Sequence, residues 1–170
     1  MVEFQNIYSQ YYRKIYDYVY MQLLHREIAE DVTSDVFFAV WKNLENFDPE
    51  RGNISSWLFA IAHNAVKDYR KKAYFRHETS VWETPETPSQ DFLRQDGEEG
   101  TLKNPTNRRA YRILKKLTQD ERHLLSLRYE LDMTHEKIAH ILGMNASAVR
   151  QKYSRLLAKC RKIDEQQEIL

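Results

Sequence analysis

The chain has 170 residues, of which 42% are hydrophobic and 30% charged, so it can bury one modest core or two small ones. The formal net charge is only +1 at pH 7, which by itself argues against a simple basic nucleic-acid binder, but basic residues are concentrated at residues 67–76 and 145–162, as suits phosphate binding. The single cysteine, Cys160, excludes a disulfide framework and a metal site built from thiolates, and we therefore expect a reducing, cytoplasmic setting.

Two further features indicate the fold class. Four glycines and four prolines favour an all-α protein over a β-sandwich with many tight turns. The N-terminal residues have no basic segment followed by an apolar run, and no window reaches the roughly 18 apolar residues of a membrane helix. We predict an all-α protein that is neither exported nor inserted in a membrane.

The first predicted helix runs from Phe4 to Leu23. Apolar and tyrosine side chains recur there at helical spacing, so we interpret the tyrosines as core and rim residues. A base-stacking platform is the alternative. The residues at helical spacing are Phe4, Ile7, Tyr8, Tyr11, Ile15, Tyr18, Val19 and Leu23.

The second predicted helix spans Glu27 to Leu44. On another face, Glu27, Asp31 and Asp35 follow one another at four-residue spacing, with Ser34 beside them. Such a row of like charges weakens an isolated helix, so it indicates either a basic partner or an ordinary solvated surface. The predicted core residues are Ile28, Val32, Phe37, Val40, Trp41 and Leu44.

The third predicted helix follows the loop at residues 48–52 and has Ser55 or Ser56 as its cap. Its predicted buried side consists of Trp57, Leu58, Ile61, Ala62, Ala65 and Tyr69. Its outer side would carry His63, Asn64, Lys67, Asp68 and Lys71. Asparagine is mildly unfavourable inside a helix, so Asn64 is a candidate recognition residue among phosphate-binding lysines.

Residues 77–105 have seven acidic and two basic residues and contain three of the four prolines. No helical period persists there, so we predict an acidic, flexible linker. It divides the chain into two small helical domains, residues 1–76 and 106–170.

Within the second domain, Thr118 and Glu121 form a capping box at the start of a helix. A helix-turn-helix follows: Thr134 caps a helix with the apolar face Ile138, Ile141 and Leu142, Gly143 makes the turn, and Asn145 caps a basic helix. On that helix Val149, Tyr153, Leu156 and Leu157 point inward. The outer residues form a candidate DNA-reading set, in which arginine and glutamine can pair with base edges while serine and lysine hold phosphates: Arg150, Gln151, Lys152, Ser154 and Arg155. A basic solvated face is the alternative.

An enzyme is not indicated. His135, Glu136 and His140 approach a zinc-protease motif, but that motif needs histidines four residues apart, and here they are five apart. No phosphate-binding loop or serine nucleophile elbow is present. We therefore predict no catalytic residues, no metal site and no cofactor.

Three segments together resemble one family, the sigma-70 family of bacterial RNA polymerase sigma factors, and within it the small extracytoplasmic-function (ECF) group that keeps only regions 2 and 4. The stretch IAEDVTSDVF at residues 28–37 resembles region 2.2, and SWLFAIAHN at residues 56–64 resembles regions 2.3 and 2.4. Leu117 to Lys162 resembles region 4.

The resemblance implies a sigma factor that directs promoter-specific transcription initiation without covalent catalysis. The implied partners are promoter DNA and core RNA polymerase, through its β′ and β subunits, and many members are also held by an anti-sigma factor. The protein would be cytoplasmic, and nucleoid-associated when bound to polymerase.

The resemblance also assigns residues. Asp31, Ser34 and Asp35 match positions that bind the coiled coil of the β′ subunit, although the family commonly has glutamine where this chain has Ser34. Asn64 matches a position that helps to capture a flipped base of the promoter −10 element, within the DNA-binding set Asn64, Lys67, Asp68 and Lys71. The loop at residues 48–56 matches the base pocket.

The reading set Arg150, Gln151, Lys152, Ser154 and Arg155 matches the face that reads the −35 element, and Ala148 stands where threonine is usual. Two other functions remain open at the level of sequence. One is a dimeric helix-turn-helix regulator that binds a palindromic site. The other is an interaction module that uses its helix-turn-helix only for packing.

Overall fold

The structure, a computed structural model, describes residues 3–50, 52–75 and 105–168. These residues form seven α-helices and one 3-10 turn at Leu44–Asn46, with no β-strand among them. The helices are α1 (Phe4–Leu23), α2 (Arg26–Asn43), α3 (Ile54–Phe75), α4 (Pro105–Lys115), α5 (Gln119–Tyr129), α6 (His135–Leu142) and α7 (Ala146–Glu168). They fall into two compact units, α1 to α3 and α4 to α7. The predicted linker lies outside the described residues, except for Pro105, which begins α4.

Helix α1 packs its predicted stripe against α2 and α3. Ile15, Tyr18 and Val19 are almost completely buried, whereas Tyr8 is 42% exposed and lies at the rim of the core. Its ring lies at the surface because it packs edge-on against Phe37 of α2, 4.8 Å between centroids, rather than beneath it. Leu24 ends the helix in the left-handed conformation, and its backbone N–H donates to the Tyr20 carbonyl at 2.7 Å.

Helix α2 buries the stripe around Val32, Phe37 and Val40, as predicted. Trp41 was predicted in this core and is instead 59% exposed. The side of α2 that meets α1 and α3 contains Thr33, Val36 and Phe37, and Trp41 lies at its margin. The prediction placed Trp41 in the core with its neighbours Phe37 and Val40, and the packing of the helices makes it a surface residue.

Helix α3 begins at Ile54, one or two residues before its predicted cap. The Asn53 side-chain oxygen accepts a hydrogen bond from the backbone N–H of Ser56 at 2.7 Å, so Asn53 is the cap and the prediction of Ser55 or Ser56 is wrong. Because α3 contacts both α1 and α2, its buried stripe includes Phe59 and Val66, which the prediction omitted. The remaining predicted core residues, Trp57, Ile61, Ala65 and Tyr69, are only partly buried.

The second unit contains the predicted helix-turn-helix, in α6 and α7. Thr134 caps α6 through the backbone N–H of Lys137 at 3.4 Å, and Gly143 ends it with a φ of 62°. Asn145 caps α7 through the backbone N–H of Ala148 at 2.7 Å. The apolar face of α6 is narrower than predicted, because Ile138 is fully buried whereas Ile141 is 50% exposed.

Two ion pairs tie the other helices of this unit to α7. Arg109 of α4 makes a two-pronged contact with the Asp164 carboxylate. In the capping box, the Glu121 carboxylate accepts from the backbone N–H of Thr118 at 2.8 Å and also from Lys159 Nζ at 2.7 Å. Burial alone would raise the pKa of Glu121, but the hydrogen bonds from Lys159 and Thr118 lower it. Both ion pairs therefore hold the C-terminal half of α7.

Candidate nucleic-acid interface

The outer side of α2 combines the acidic row with two aromatic side chains. Asp31, Ser34 and Asp35 are all exposed. Phe38 and Trp41 continue the same side, 56% and 59% exposed, with ring centroids 6.0 Å apart. We call these five residues the α2 face. Exposed aromatic rings beside carboxylates are typical of a protein-binding surface.

Some polar groups of this surface already interact with residues of α2 itself. The Ser34 hydroxyl donates to the Glu30 carbonyl at 3.0 Å, so only its oxygen lone pairs remain for a partner. Lys42 Nζ lies 4.9 Å from the centroid of the Phe38 ring, a cation–π contact. The α2 face therefore has carboxylates at one end, and the Lys42 ammonium group lies beside its aromatic end.

Sequence reasoning missed Phe38 and Trp41 as functional candidates. Both follow Asp31 at intervals that place them near the acidic row on a 3.6-residue helix, and that spacing could have identified them. The prediction of Trp41 as a core residue is wrong, since its side chain is 59% exposed.

The outer side of α3 carries polar residues that would face a nucleic acid. Four predicted site residues are exposed there on one side of the helix: Asn64, Lys67, Asp68 and Lys71. His63 was predicted to join them, but it is half-buried and its Nδ1 lies 3.1 Å from the hydroxyl of the buried Tyr18. The structure thus separates a core-contacting histidine from the exposed set.

The electrostatic setting of His63 favours its neutral form. Burial lowers the pKa of His63, and the positive charges of Lys67 and Arg70 lower it further. Arg70 also donates to the Gln22 carbonyl at the end of α1. Positive charge therefore concentrates along this part of α3.

A cavity of about 560 Å³ opens beside the start of α3. Its walls include Phe47, Asp48, Asn53 and Trp57, and the Phe47 and Trp57 ring centroids are 5.2 Å apart. Aromatic surfaces with adjacent amide and carboxylate groups can stack on a base and hydrogen-bond its edge. The cavity falls within the loop that the resemblance assigned to the base pocket.

All five residues of the reading set on α7 are exposed. Arg150, Gln151, Lys152, Ser154 and Arg155 point away from the core, while Val149 is 0% and Leu156 3% exposed and anchor the helix. Arg150 is engaged within the domain, because its Nη1 donates to Glu136 Oε1 of α6 at 3.3 Å. A basic helix with a buried opposite side can enter a DNA major groove.

Catalytic chemistry finds no support in the described parts of the chain. No group of three or more histidine, cysteine, aspartate or glutamate side chains there is placed to hold a metal ion. His135 packs against the Tyr153 ring, 5.7 Å between centroids, whereas His140 is exposed. None of the described helices is both long and apolar enough to span a membrane.

Comparison with known families covers most of both helical units. The sigma-70 region 2 family matches residues 7–76, and the sigma-70 region 4 family matches residues 113–162. The chain belongs to the sigma-70 family. The predicted all-α fold is confirmed, as is the prediction that the chain is not an enzyme, because sigma factors are non-catalytic initiation factors.

Several curated relatives are ECF sigma factors. YlaC of Bacillus subtilis, an RNA polymerase sigma factor, is 29% identical over 93% of this chain and 90% of its own length. The ECF sigma factor SigK of Mycolicibacterium vanbaalenii is 26% identical over 92% of this chain and 81% of its own length. BldN of Streptomyces coelicolor, also an ECF sigma factor, is 25% identical over 86% of this chain. The chain spans about half of the length of BldN, 54%.

These relatives confirm the resemblance to the ECF group and the role in promoter-specific transcription initiation. A solved structure of CnrH, in complex with the cytosolic domain of CnrY, has a similar fold, with a TM-score of 0.65 over 96% of this sigma factor and 88% of CnrH. The sequence identity is 21%, so this likeness concerns the fold. A conventional dimeric regulator is not favoured, because α1 to α3 match region 2.

Proposed function

We propose that this sigma factor binds core RNA polymerase through the α2 face, melts the promoter −10 element with α3 and its adjoining cavity, and reads the −35 element with α7. The observation that carries the proposal is the exposure of Phe38 and Trp41 beside Asp31 and Asp35. Exposed aromatic rings beside carboxylates favour a protein partner, which a polymerase-binding sigma factor requires.

The α2 face suits a basic, partly apolar partner, and the coiled coil of the polymerase β′ subunit is the partner that the family implies. Carboxylates on Asp31 and Asp35 would pair with its basic groups, while Trp41 and Phe38 would supply most of the binding free energy. Ser34 would contribute little, since its hydroxyl proton is held by Glu30. Region 4 would contact the β subunit.

Promoter melting would be driven by binding. Extruding a base from the duplex costs a few kcal/mol, which contacts in the pocket and to phosphates must offset. Asn64 and Asp68 offer polar groups to exposed bases, and Lys67 and Lys71 offer charge to the backbone. The cavity between Phe47 and Trp57 would accept the extruded base.

Recognition of the −35 element would divide between base and phosphate contacts. Arg150, Gln151 and Arg155 have the side chains that pair with base edges, whereas Lys152 and Ser154 suit phosphates. Ala148 lies in the first turn of α7 without a side-chain donor, so one phosphate contact common in the family would be missing here.

We also propose an anti-sigma factor as a further partner. The fold relative CnrH is solved with a second protein, the cytosolic domain of CnrY. A protein that covered Phe38 and Trp41 would remove apolar surface from water and block polymerase at once. The free sigma factor would be cytoplasmic, and the polymerase-bound form would lie at the nucleoid.

The experiment adds the purified sigma factor to core polymerase and fragmented host DNA and maps the 5′ ends of the transcripts. We expect new start sites with shared upstream elements near −10 and −35. The matched control is the Asp31→Lys, Asp35→Lys double variant, which keeps both DNA-binding surfaces and should give none of these starts. An absence of new starts with the unmodified protein, while a control sigma factor is active, would contradict the proposal.

A further inference from the structure

Among the reading residues, Arg150 forms an ion pair with an acidic residue on another helix. Its Nη1 donates to Glu136 Oε1 across the turn between α6 and α7 at 3.3 Å. The side chains stay 56% and 65% exposed, so both remain accessible to DNA. Lys152 and Arg155 form no ion pair with any of the described residues.

Both ends of this contact have a fixed backbone. Glu136 lies in the first turn of α6, directly before Lys137, whose backbone N–H is capped by Thr134 at 3.4 Å. Arg150 follows Val149, which is 0% exposed and anchors α7. The Glu136 backbone N–H and the Thr134 hydroxyl lower the pKa of Glu136, with a smaller contribution from Arg150, so the carboxylate is charged at neutral pH.

We propose that Glu136 is a positioning residue that fixes the Arg150 side chain for one base of the −35 element. A guanidinium group has five N–H donors in a planar fork. Glu136 occupies one donor on Nη1, and the others remain for the two acceptors on the major-groove edge of guanine. Holding the side chain in advance reduces the conformational entropy lost on binding. This inference rests on the proposed reading of the −35 element by α7.

A competing role for Glu136 makes a different prediction. A carboxylate at the protein–DNA interface repels phosphates, and its removal would then strengthen binding to every sequence equally. A positioning residue instead changes the ratio between the preferred base and the other three, at the one position that Arg150 reads. The base preference, rather than the overall affinity, therefore distinguishes the two roles.

The test selects bound duplexes from a pool randomised across the −35 element, with the full chain bound to core polymerase. The proteins compared are unmodified, Glu136→Ala, Arg150→Ala and the double variant. Arg150→Ala should lose the preference at one position, and Glu136→Ala should reduce it there roughly 2- to 5-fold, as expected of an exposed ion pair. The double variant should match Arg150→Ala, because Glu136 acts through Arg150.

Asp132→Asn is the matched control for charge. Asp132 pairs with Arg128, also at 3.3 Å, two residues before the Thr134 cap, and asparagine tolerates its left-handed backbone at φ 47°. This variant should keep every base preference. An unchanged preference in Glu136→Ala, or equally tighter binding to all sequences, would overturn the inference while leaving the proposed function intact. An absence of any preference in the unmodified protein would instead overturn the proposed reading of −35.

Discussion

The hydroxyl of Tyr18 on α1 lies 3.1 Å from Nδ1 of His63 on α3. The contact links the two helices at the residue directly before Asn64. Tyr18 is 1% exposed, and burial raises its pKa, so the hydroxyl keeps its proton and can donate to a neutral imidazole. A protonated ring could only donate at Nδ1, and it would face the charges of Lys67 and Arg70. Burial and the charges of Lys67 and Arg70 therefore favour neutral His63, which can accept the Tyr18 proton.

We predict that acid destabilises the first unit through His63. Its pKa is lowered from the ordinary value of 6.5, so the unfolded chain binds this proton more tightly than the folded one. The stability contribution is fully present above pH 6.5 and is lost as the pH falls toward the folded pKa. Urea unfolding, followed by tryptophan fluorescence, should show a lower midpoint at pH 5.5 than at pH 7.5.

The control for this effect is His63→Gln, which removes the titrating group and keeps a polar side chain. Its unfolding midpoint should depend less on pH over the same range. Equal pH dependence of the two proteins would assign the effect to other groups.

Charge reversal on the α2 face should abolish polymerase binding. Asp31→Lys with Asp35→Lys converts two exposed carboxylates into ammonium groups and leaves the buried side of α2 unchanged. A titration against core enzyme measures the affinity, and circular dichroism checks the fold. The control pair Asp120→Lys with Glu165→Lys makes the same charge change in the second unit, and we expect core binding to survive. Unchanged affinity of the α2 variant would refute the contact.

Trp41 and Phe37 should separate binding from stability. Trp41→Ala removes an exposed ring, so it should weaken core binding about tenfold or more while unfolding changes little. Phe37→Ala removes a ring that is 3% exposed and contacts Phe4, Tyr8 and Tyr12, so it should lower the free energy of unfolding by about 3 to 5 kcal/mol. A large loss of stability in Trp41→Ala would mean that the ring supports the fold.

The sequence was sufficient for the helices and the helix-turn-helix, because long amphipathic stripes and side-chain caps are local signals. Thr118, Thr134 and Asn145 all cap as predicted. The exposed site residues followed from the same periodicity, since burial of one stripe leaves the opposite side of the helix in water.

The errors concern features that depend on packing between helices. Trp41 and His63 lie at the margins of buried stripes, where the angle at which helices meet decides exposure. The pair Glu136 and Arg150 is 14 residues apart, and only the turn between α6 and α7 brings the two side chains together. No local pattern in the sequence predicts the angle at which α6 and α7 meet.

Asn64→Ala should impair promoter melting more than duplex engagement. The side chain is exposed on α3 and has no part in the core, so the variant should fold normally. Permanganate reactivity of unpaired thymines around −10 should fall, while retention of duplex promoter by the holoenzyme should change little. Asp120→Ala, an exposed residue of the second unit, is the control. Equal permanganate reactivity in both variants would count against Asn64 as a base contact.

Arg155 and Lys152 should differ in the kind of DNA contact that they make. Arg155→Ala should cost roughly 1 to 3 kcal/mol on the preferred −35 element and relax the preference at one position. Lys152→Ala should weaken binding to all sequences alike and reduce the slope of log affinity against log salt by about 1. Titrations of holoenzyme with native and scrambled elements at several salt concentrations measure both effects. Arg161→Ala, exposed nearer the end of α7, is the matched control. Equal binding of native and scrambled elements by the unmodified protein would exclude a reading role for Arg155, and an unchanged salt slope in Lys152→Ala would exclude its phosphate contact.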